Sequence, residues 1–576
     1  MTIDLKNLKA DLSNIKKTIQ FVYNSDKRLF IVRLFLIVIQ SLLPLYLLLL
    51  TKQLIDVITN SGSRSSENIW FTIAIFCGVT LVIQITAVLN TIVGEILGQK
   101  IVNYVNNILH NKSLELDLTY YDNPEYYDTF HRAQQEATFR PIQILLSISE
   151  LMTNIISFVG VAIILATLSG YVFLVIILAG IPSLYIKLVR TKVFYEWKTA
   201  NTNLYREVGY HSMLMTQRIY AKEMRIFTLG NYILKAHNFI RDKLMHQVIQ
   251  LSKKTAKGNI VSAIFEVSAL AISIVILTNK ILVGEVSIGS FVMFFGALRG
   301  ANQYISGIMN NVTGIYNNKL FLSNLFAFIN LKPHIKQIEN AYMVPKLTKG
   351  LKFENVSFTY EGGKRKILNN VSFEIKPGET VLITGKNGAG KTTLINVLCR
   401  MYERSSGSIT LDGIDIKDMD IDSLHKNIGI ICQDYCKYNL TVSDNIKFGD
   451  VDAEHDIKSA AVLSGADEFI EDLPKKYNTI VGKFFEDGEE LSIGQWQKIA
   501  LARAFYNDAQ IIILDEPTSS IDMEAENKFF EKLNNLKKDK IVIIIGHKIT
   551  HKISADSYFT LKNGELKKVN RELVNA

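Results

Sequence analysis

The run Thr380-Val-Leu-Ile-Thr-Gly-Lys-Asn-Gly-Ala-Gly-Lys-Thr392 decides the fold of the second half of the chain. Its first five residues are apolar or β-branched, which predicts a buried strand, and residues 393–400 predict a helix. The loop between them matches the pattern G-x-x-x-x-G-K-[ST] in the strand–loop–helix context that gives this pattern its meaning. Glycines let backbone N–H groups turn inward around phosphate oxygens, and the helix N-terminus adds partial positive charge. The run therefore predicts a phosphate-binding loop.

Residue types within this loop suit a nucleotide with its metal ion. Lys391 is expected to reach the β- and γ-phosphates, and the Thr392 hydroxyl is expected to ligate Mg²⁺. The residues predicted to bind the nucleotide here are Gly385, Lys386, Asn387, Gly388, Ala389, Gly390, Lys391, Thr392 and Thr393.

A second apolar run, residues 510–514, ends in two acids. An acid at the tip of such a strand places Asp515 beside the magnesium ion. Glu516 is then expected to face the γ-phosphate and to polarise the attacking water as general base. The alternative is that these acids only cap a helix before Pro517. The phosphate-binding loop upstream favours the catalytic interpretation.

The two halves of the chain have different patterns. From about residue 349 onward, short β-branched runs alternate with helical segments, which is typical of an α/β sheet domain. The preceding half instead has six apolar stretches, each close to the roughly 20 residues needed to cross a hydrocarbon core. Any one of them could be a buried core helix, but six in succession favour a membrane domain. They cover residues 30–50, 69–94, 142–165, 168–187, 259–279 and 287–307.

Composition and charge exclude several classes of protein and orient the membrane stretches. An apolar share of 48% excludes a disordered chain, and four scattered cysteines exclude a disulfide scaffold. The first 332 residues hold 31 Lys and Arg against 19 Asp and Glu, whereas the rest hold 33 against 36. Because basic loops stay in the cytoplasm, both termini, both long loops and the α/β domain are expected there. The basic excess thus explains the net charge of +9, and we predict no nucleic-acid partner.

Two long connections, between the second and third stretches and between the fourth and fifth, have helical apolar spacing. They predict spans that continue into the cytoplasm as helices and turn near residues 120–130 and 213–227. At the start of the chain, apolar residues repeat every three or four positions between Leu5 and Val22. This stripe predicts an amphipathic helix on the membrane surface, with a cytosolic amphipathic helix as the alternative.

The run Leu491-Ser-Ile-Gly-Gln495 resembles the signature Leu-Ser-Gly-Gly-Gln of ABC transporters, and the other elements of that family stand around it in family order. The resemblance implies that Tyr360 stacks on adenine. It implies that Gln433 is a catalytic residue that contacts Mg²⁺ and the transmembrane helices. It also implies that His547 is the catalytic switch residue that senses the γ-phosphate.

In this family the signature of one copy closes over the ATP bound by another. The resemblance therefore assigns Ser492, Gly494 and Gln495 to nucleotide binding in a second copy, and it places residues 519–522 against the partner ATPase domain. Ile493 replaces the first glycine of the signature pair, and its effect on the geometry stays open. Since the chain carries one complete set of motifs, a homodimer is favoured over a mixed pair.

The resemblance covers essentially the whole chain and implies an exporter-type half-transporter, that is, a type I ABC exporter. The fold class is a polytopic helical membrane domain with six transmembrane helices, followed by an α/β P-loop ATPase domain. The predicted parts are an amphipathic segment over residues 1–28, the membrane domain with its long cytoplasmic loops over 29–330, and the ATPase domain over 349–576. ATP and Mg²⁺ are the implied cofactors. The implied location is the bacterial cytoplasmic membrane, crossed several times.

The cargo is the least determined part. Residues 432–442, 494–503 and 132–141 resemble lanthipeptide (lantibiotic) exporters, which implies ATP-driven export of a peptide and cargo-modifying enzymes as possible partners. The alternative is a multidrug or lipid exporter of the same architecture. A membrane ATPase switch that transports nothing is disfavoured by the intact general base.

Two acids lie inside apolar spans, Glu150 and Glu266. Ionisable side chains at such positions are candidates for cargo contact. For Glu266 the alternative is a solvated carboxylate or an ion pair with Arg299.

Overall fold

The chain, described here by a computed structural model, divides into two compact units. One comprises residues 1–114 and 128–331, and the other comprises residues 115–127 and 332–576. The structure describes residues 19–59, 66–122, 139–168, 192–194, 196–336, 338–517, 523–536, 539–546 and 555–570, with scattered positions within 130–137 and 178–190. Most of the amphipathic segment, most of the fourth apolar stretch, residues 519–522 and His547 lie outside the described residues.

Among the described residues of the first unit, the regular secondary structure is entirely helical. Its apolar runs form long helices because a helix pairs backbone N–H groups with carbonyl oxygens of the same segment. These groups then need no hydrogen bonds from water, which the bilayer core lacks. Those helices, together with a short one that belongs to the second unit (α3), are α1 (Lys27–Thr59), α2 (Ser66–Glu115), α3 (Leu118–Tyr121), α4 (Arg140–Leu168), α5 (Thr202–Thr216), α6 (Arg218–Ile226), α7 (Gly230–Leu282), α8 (Ile288–Asn317) and α9 (Lys319–Ile329).

Within the described residues, four helices are long and apolar enough to cross a membrane: α1, α2, α4 and α7. The sixth predicted stretch lies on α8, which has 30 residues but interrupts its apolar sequence with polar ones. Large apolar side chains point outward from the helices, as do Phe35 and Trp70, which are 65% and 70% exposed. Such exposure fits side chains that contact lipid.

Close helix packing forms the core of this unit. Its centre joins α1, α4, α7 and α8 through side chains such as Leu45, Leu165, Leu277 and Phe294. Gly160 allows α4 to approach α1, because a Cβ at that position would lie 2.0 Å from Leu45 Cδ1. Small residues at such crossings are the usual means by which membrane helices pack closely.

The second predicted turning point, residues 213–227, coincides with the short helix α6. The chain leaves helical geometry at Gln217, whose φ and ψ of −86° and 143° are extended, and turns again at Phe227 before α7 begins.

The second unit contains two sheets. Four strands form a sheet in the order β2-β1-β4-β5, whose pairings are antiparallel. Six strands form the other in the order β10-β9-β3-β8-β7-β6, with parallel pairing from β9 to β6. The strands are β1 (Leu351–Phe358), β2 (Leu368–Ile375), β3 (Thr380–Gly385), β4 (Ser406–Leu411), β5 (Ile414–Asp415), β6 (Ile428–Ile431), β7 (Ile511–Asp515), β8 (Ile541–Gly546), β9 (Ser557–Lys562) and β10 (Glu565–Val569).

Helices of the second unit pack on these sheets and bury the central strands on both faces, as parallel strands require. They are α10 (Lys391–Leu398), α11 (Ile421–Lys426), α12 (Val442–Lys447), α13 (Ile457–Ser464), α14 (Asp467–Ile470), α15 (Ile493–Tyr506) and α16 (Met523–Leu536).

Strand order positions the site. The predicted strands at residues 380–384 and 510–514 are β3 and β7, and both pair with β8 in parallel. The carboxyl ends of parallel strands meet at one edge of a sheet, which is where ligands bind in such folds. The phosphate-binding loop after β3 and the acids at the end of β7 therefore share that edge.

Candidate active site

The phosphate-binding loop depends on backbone conformations that only glycine adopts readily. Gly388 and Gly390 have φ values of +74° and +105°, in the region where an L side chain is strained. Gly390 is also the residue immediately before α10, and a Cβ there would lie 3.0 Å from the carbonyl oxygen of Ile367. These two glycines let the loop turn into the helix with its N–H groups facing inward.

Lys391 begins α10 and bends back over the loop. Its Nζ donates hydrogen bonds to the carbonyl oxygens of Gly385, at 2.8 Å, and Lys386, at 3.4 Å. The side chain is buried, which lowers its pKa, while the nearby charges of Glu516 and Asp515 raise it. A cation held among carbonyl oxygens and carboxylates at this edge suits the charge of a polyphosphate.

Asp515 ends β7 and is 3% exposed. Burial, aided by the charge of Glu516, raises the pKa of its carboxyl group to about 6, and the charge of Lys391 opposes this shift. Its Oδ2 accepts a hydrogen bond from Thr392 Oγ1 at 3.4 Å. The sequence predicted that both residues ligate one ion, and the structure places them within reach of each other.

This donor set fits Mg²⁺. The ion is usually held by one or two carboxylates together with substrate phosphates and water. Among the described residues no group of three or more His, Cys, Asp or Glu could hold a metal by itself. A buried carboxylate with a raised pKa beside a hydroxyl gains most from a cation that arrives with the nucleotide.

Glu516 follows directly and adopts the left-handed backbone region, with φ of +51°. Its N–H donates to the carbonyl oxygen of Ile545 on β8 at 2.9 Å, which holds the backbone in this conformation. Gln433 Nε2 donates to Glu516 Oε2 at 3.2 Å. The two predicted catalytic residues are thus in direct contact, which fixes the direction of the carboxylate. Strain of this kind is common at functional sites.

Tyr360, predicted to stack on adenine, follows β1. Its hydroxyl lies 2.9 Å from Thr393 Oγ1, at the start of α10. Its ring meets the ring of Tyr402 edge to face, with centroids 5.3 Å apart. The aromatic side chain therefore borders the phosphate-binding loop.

Tyr402 extends this cluster to the loop that follows α2, and sequence reasoning missed it. Its hydroxyl donates a hydrogen bond to the carboxylate of Asp122, just after α3. Burial and this carboxylate raise the pKa of Tyr402. A second hydrogen bond within the second unit also involves this loop: Tyr120 Oη donates to the carbonyl oxygen of Lys332 at 2.7 Å. No short motif announces these partners, because they are far apart in sequence.

The signature residues 491–495 lie at the start of α15, and Ser492 is the N-cap residue of this helix. Ser492 Oγ accepts from the N–H of Gln495 at 3.2 Å, and Gln495 Oε1 accepts from the N–H of Ser492 at 2.8 Å. This reciprocal capping box fixes the helix start. Ile493 is 63% exposed, while its carbonyl oxygen accepts from Tyr435 Oη at 3.0 Å. The Ile493 side chain, which stands where the signature has glycine, is therefore largely exposed on the surface of this chain.

Gln497 is a further residue that sequence reasoning missed. It lies one turn into α15 and is 2% exposed. Its Nε2 donates to the backbone carbonyl oxygen of Glu516 at 3.3 Å. The signal in the sequence was an amide side chain among the apolar residues of this helix. The contact ties the signature helix to the backbone of the predicted base.

Comparison with known proteins identifies the family. The ABC transporter model matches residues 368–519. The subtilin transport ATP-binding protein SpaT of Bacillus subtilis is 30% identical over 574 residues, which span 98% of this chain and 92% of that protein. The chain belongs to the ABC transporter family.

Two further comparisons agree. The nisin transport ATP-binding protein NisT of Lactococcus lactis subsp. lactis is 27% identical over 564 residues, spanning 97% of this chain and 93% of that protein. The fold matches a bacterial Atm1-family ABC exporter with ATP bound, with a TM-score of 0.79, 21% identity and coverage of 94% of both chains.

These findings confirm the fold class, a type I exporter with a helical membrane domain and an ABC ATPase domain. They also confirm an ATP-hydrolysing membrane transporter. The domain boundaries and the roles of individual residues stay predictions.

Proposed function

We propose that this transporter exports a peptide of the lanthipeptide class from the cytoplasm. The observation that carries the proposal is the match, along nearly the whole chain, to proteins named for subtilin and nisin transport. Relatives named as a lipid A-core flippase and as a putative multidrug exporter also match most of the chain, at 26% identity, and these cargoes are the alternative. The proposal places residues 29–330 in the cytoplasmic membrane and the ATPase domain, residues 349–576, on the cytoplasmic side.

Each ATP is proposed to bind between two copies of the chain. The phosphate-binding loop supplies N–H groups and Lys391 to the phosphates, and Tyr360 contacts the base. From the second copy, Ser492 and Gly494 close over the γ-phosphate. The exposure of Ile493 supports this arrangement, as does the neighbouring pair Phe484 and Phe485, 78% and 48% exposed, since such side chains are suited to an interface.

Hydrolysis is proposed to use the groups that end β7. When bound, Mg²⁺ would be held by Thr392 and Asp515, with Gln433 nearby, and would offset phosphate charge. Glu516 orients a water molecule and accepts its proton, with its carboxylate held by Gln433. His547 is proposed to contact the γ-phosphate. The left-handed backbone of Glu516 and its bond to β8 hold this base in place before the nucleotide arrives.

Coupling to the membrane domain is proposed to run through the first cytoplasmic loop. Residues 115–127 belong to the same compact unit as the ATPase, and the Asp122–Tyr402 hydrogen bond continues to Tyr360 through ring contact. ATP favours the closed dimer, and this differential affinity shifts the population from inward-open to outward-open. Hydrolysis then resets the cycle.

Two inactive variants test the shared site. Lys391→Met removes the phosphate contact, and Ser492→Arg blocks the signature. If each site joins the loop of one copy to the signature of the other, a mixed dimer keeps one intact site. We expect ATPase activity in the mixed dimer, purified through two different affinity tags, and none in either homodimer. Inactivity of a correctly folded mixed dimer would refute the shared site.

Transport itself is tested in inside-out proteoliposomes that contain the full chain. With Mg-ATP we expect uptake of a leader-bearing lanthipeptide precursor, and none with Glu516→Gln, which binds ATP but does not turn over. A fluorescent phospholipid and a cationic dye are the matched alternative cargoes. Transport of either of these without transport of the peptide would establish the lipid or multidrug alternative and overturn the proposal.

A further inference from the structure

A polar cavity of about 510 Å³ lies within the membrane helices, among α1, α2 and α4. Its volume is in the range of about 300–1,000 Å³ that is typical of small-ligand sites. The lining combines one guanidinium, two carboxylates and three carboxamides. These belong to Arg33, Glu95, Glu150, Gln40, Asn90 and Asn154.

Arg33 is the central group of this cavity. It is 4% exposed, and its Nε donates a hydrogen bond to Ser149 Oγ on α4 at 2.9 Å. Its Nη1 is buried and has no hydrogen-bond partner among the described residues. Gly94 makes room for it on α2, because a Cβ there would lie 2.0 Å from Nη1. The helix backbone thus admits a guanidinium whose donor capacity is only partly used.

Asn90 supplies the complementary group. Its Nδ2 donates to Gln40 Oε1 at 2.7 Å. Its Oδ1 is buried and lacks a partner in the described part of the chain. An unpaired donor and an unpaired acceptor therefore line one cavity, and each is costly to leave unmatched away from water.

These groups lie in the same half of the proposed spans. From the predicted span ends at residues 30, 94 and 142, Arg33, Asn90 and Glu150 lie three, four and eight residues inward. At 1.5 Å per residue these are about 4.5, 6 and 12 Å into the hydrocarbon. In the proposed orientation all three lie on the cytoplasmic side. Ionisable residues at such depths mark binding or transport sites.

We propose that this cavity binds a short cationic segment of the peptide cargo within a single protomer, an inference that rests on the proposed function. A carbonyl oxygen of the segment accepts from Arg33 Nη1, and an N–H group donates to Asn90 Oδ1. The two carboxylates outnumber the guanidinium and attract a lysine or ammonium group. Carboxamides both donate and accept, which matches the alternating polarity of a peptide backbone.

Binding is measured on the full chain in phosphatidylcholine nanodiscs without nucleotide, using the labelled peptide Ala-Lys-Lys-Ala with free termini. Arg33→Gln removes the guanidinium together with its Nη1 donor, and Gly94→Ala displaces the guanidinium while keeping its charge. We expect both to weaken the Kd about tenfold or more, since a hydrogen bond to a charged group is lost. Arg28→Gln is the matched control, because Arg28 is exposed on the same helix, and it should bind as the unmodified chain does.

A second arm needs no variant and remains informative if Arg33→Gln fails to fold. The capped neutral peptide Ala-Gln-Gln-Ala should bind the unmodified chain about tenfold more weakly or worse, since its charge is absent. Equal binding of the two peptides, or an unchanged Kd in a folded Gly94→Ala chain, overturns the proposal. Displacement of the probe by phosphatidylethanolamine at nanodisc concentrations also overturns it, in favour of a lipid site. Uptake of the precursor by the unmodified chain is measured separately. If the precursor is taken up but the cavity variants bind the probe normally, this inference fails while the export proposal stands.

Discussion

Replacing Asp515 by Asn should stabilise the nucleotide-free ATPase domain while abolishing its activity. The carboxyl group is 3% exposed, and burial together with the charge of Glu516 raises its pKa from 3.8 to about 6. Each pKa unit corresponds to about 1.36 kcal/mol, so the charged form costs the folded domain about 3 kcal/mol above pH 6. Asparagine occupies the same volume without that charge, and its Oδ1 can still accept from Thr392.

The sign of the pH dependence follows from proton binding. Between pH 3.8 and about 6 the folded state holds a proton on Asp515 that the unfolded state has released, so stability falls as pH rises. The advantage of Asp515→Asn should therefore be near its full value at pH 7.5 and about half of it at pH 5. Near pH 3.8 it becomes small.

Hydrogen exchange of the full chain measures this locally. In EDTA and without nucleotide, peptides covering β7 and β8 should exchange roughly a hundredfold more slowly in Asp515→Asn at pH 7.5, after correction for intrinsic rates. Adding Mg-ATP should reverse the order, because only the unmodified chain retains the carboxylate proposed to hold the ion. Equal protection of both chains at pH 7.5, or a difference that does not shrink at pH 5, would refute the reasoning.

Four other outcomes are expected. Glu516→Gln should keep Mg-ATP affinity and lower kcat by about 100-fold or more; near-normal turnover would remove Glu516 as the base. Gly390→Ala forces an alanine to φ of +105° and should cost about 1–2 kcal/mol of unfolding free energy and weaken nucleotide binding, measured with a fluorescent ATP analogue. Gly209→Ala is its control, since a Cβ there meets nothing within 4 Å. Tyr402→Phe removes the hydrogen bond to Asp122 and should lower the amount of peptide transported per ATP hydrolysed, and an unchanged ratio would count against the proposed coupling. Glu266→Gln should reduce export of a cationic peptide if its half-buried carboxylate, bonded at 3.5 Å by Ser262, faces the cargo; undiminished export would leave Glu266 as a solvated carboxylate.

Sequence alone predicted much of the ATPase site because its chemistry is local. The loop from Gly385 to Thr392 is contiguous, and its glycines and lysine have fixed spacings that the phosphates require. Asp515 was recognisable because an acid directly after an apolar strand marks a strand end. For the same reason the apolar stretches announced membrane helices, since their length and composition suffice. The least apolar stretch, on α8, shows where that signal weakens.

Other contacts could not be predicted, because their partners are distant in the chain and have no spacing rule. Tyr402 and Asp122 are 280 residues apart, and Arg33 and Ser149 are 116 apart. The sequence singled out Glu150 as an acid in an apolar span, but not the guanidinium that shares its cavity. Periodicity decides which helices and strands form, since it acts between near neighbours. Which polar groups meet, and which are left without a partner, is decided only when the helices pack.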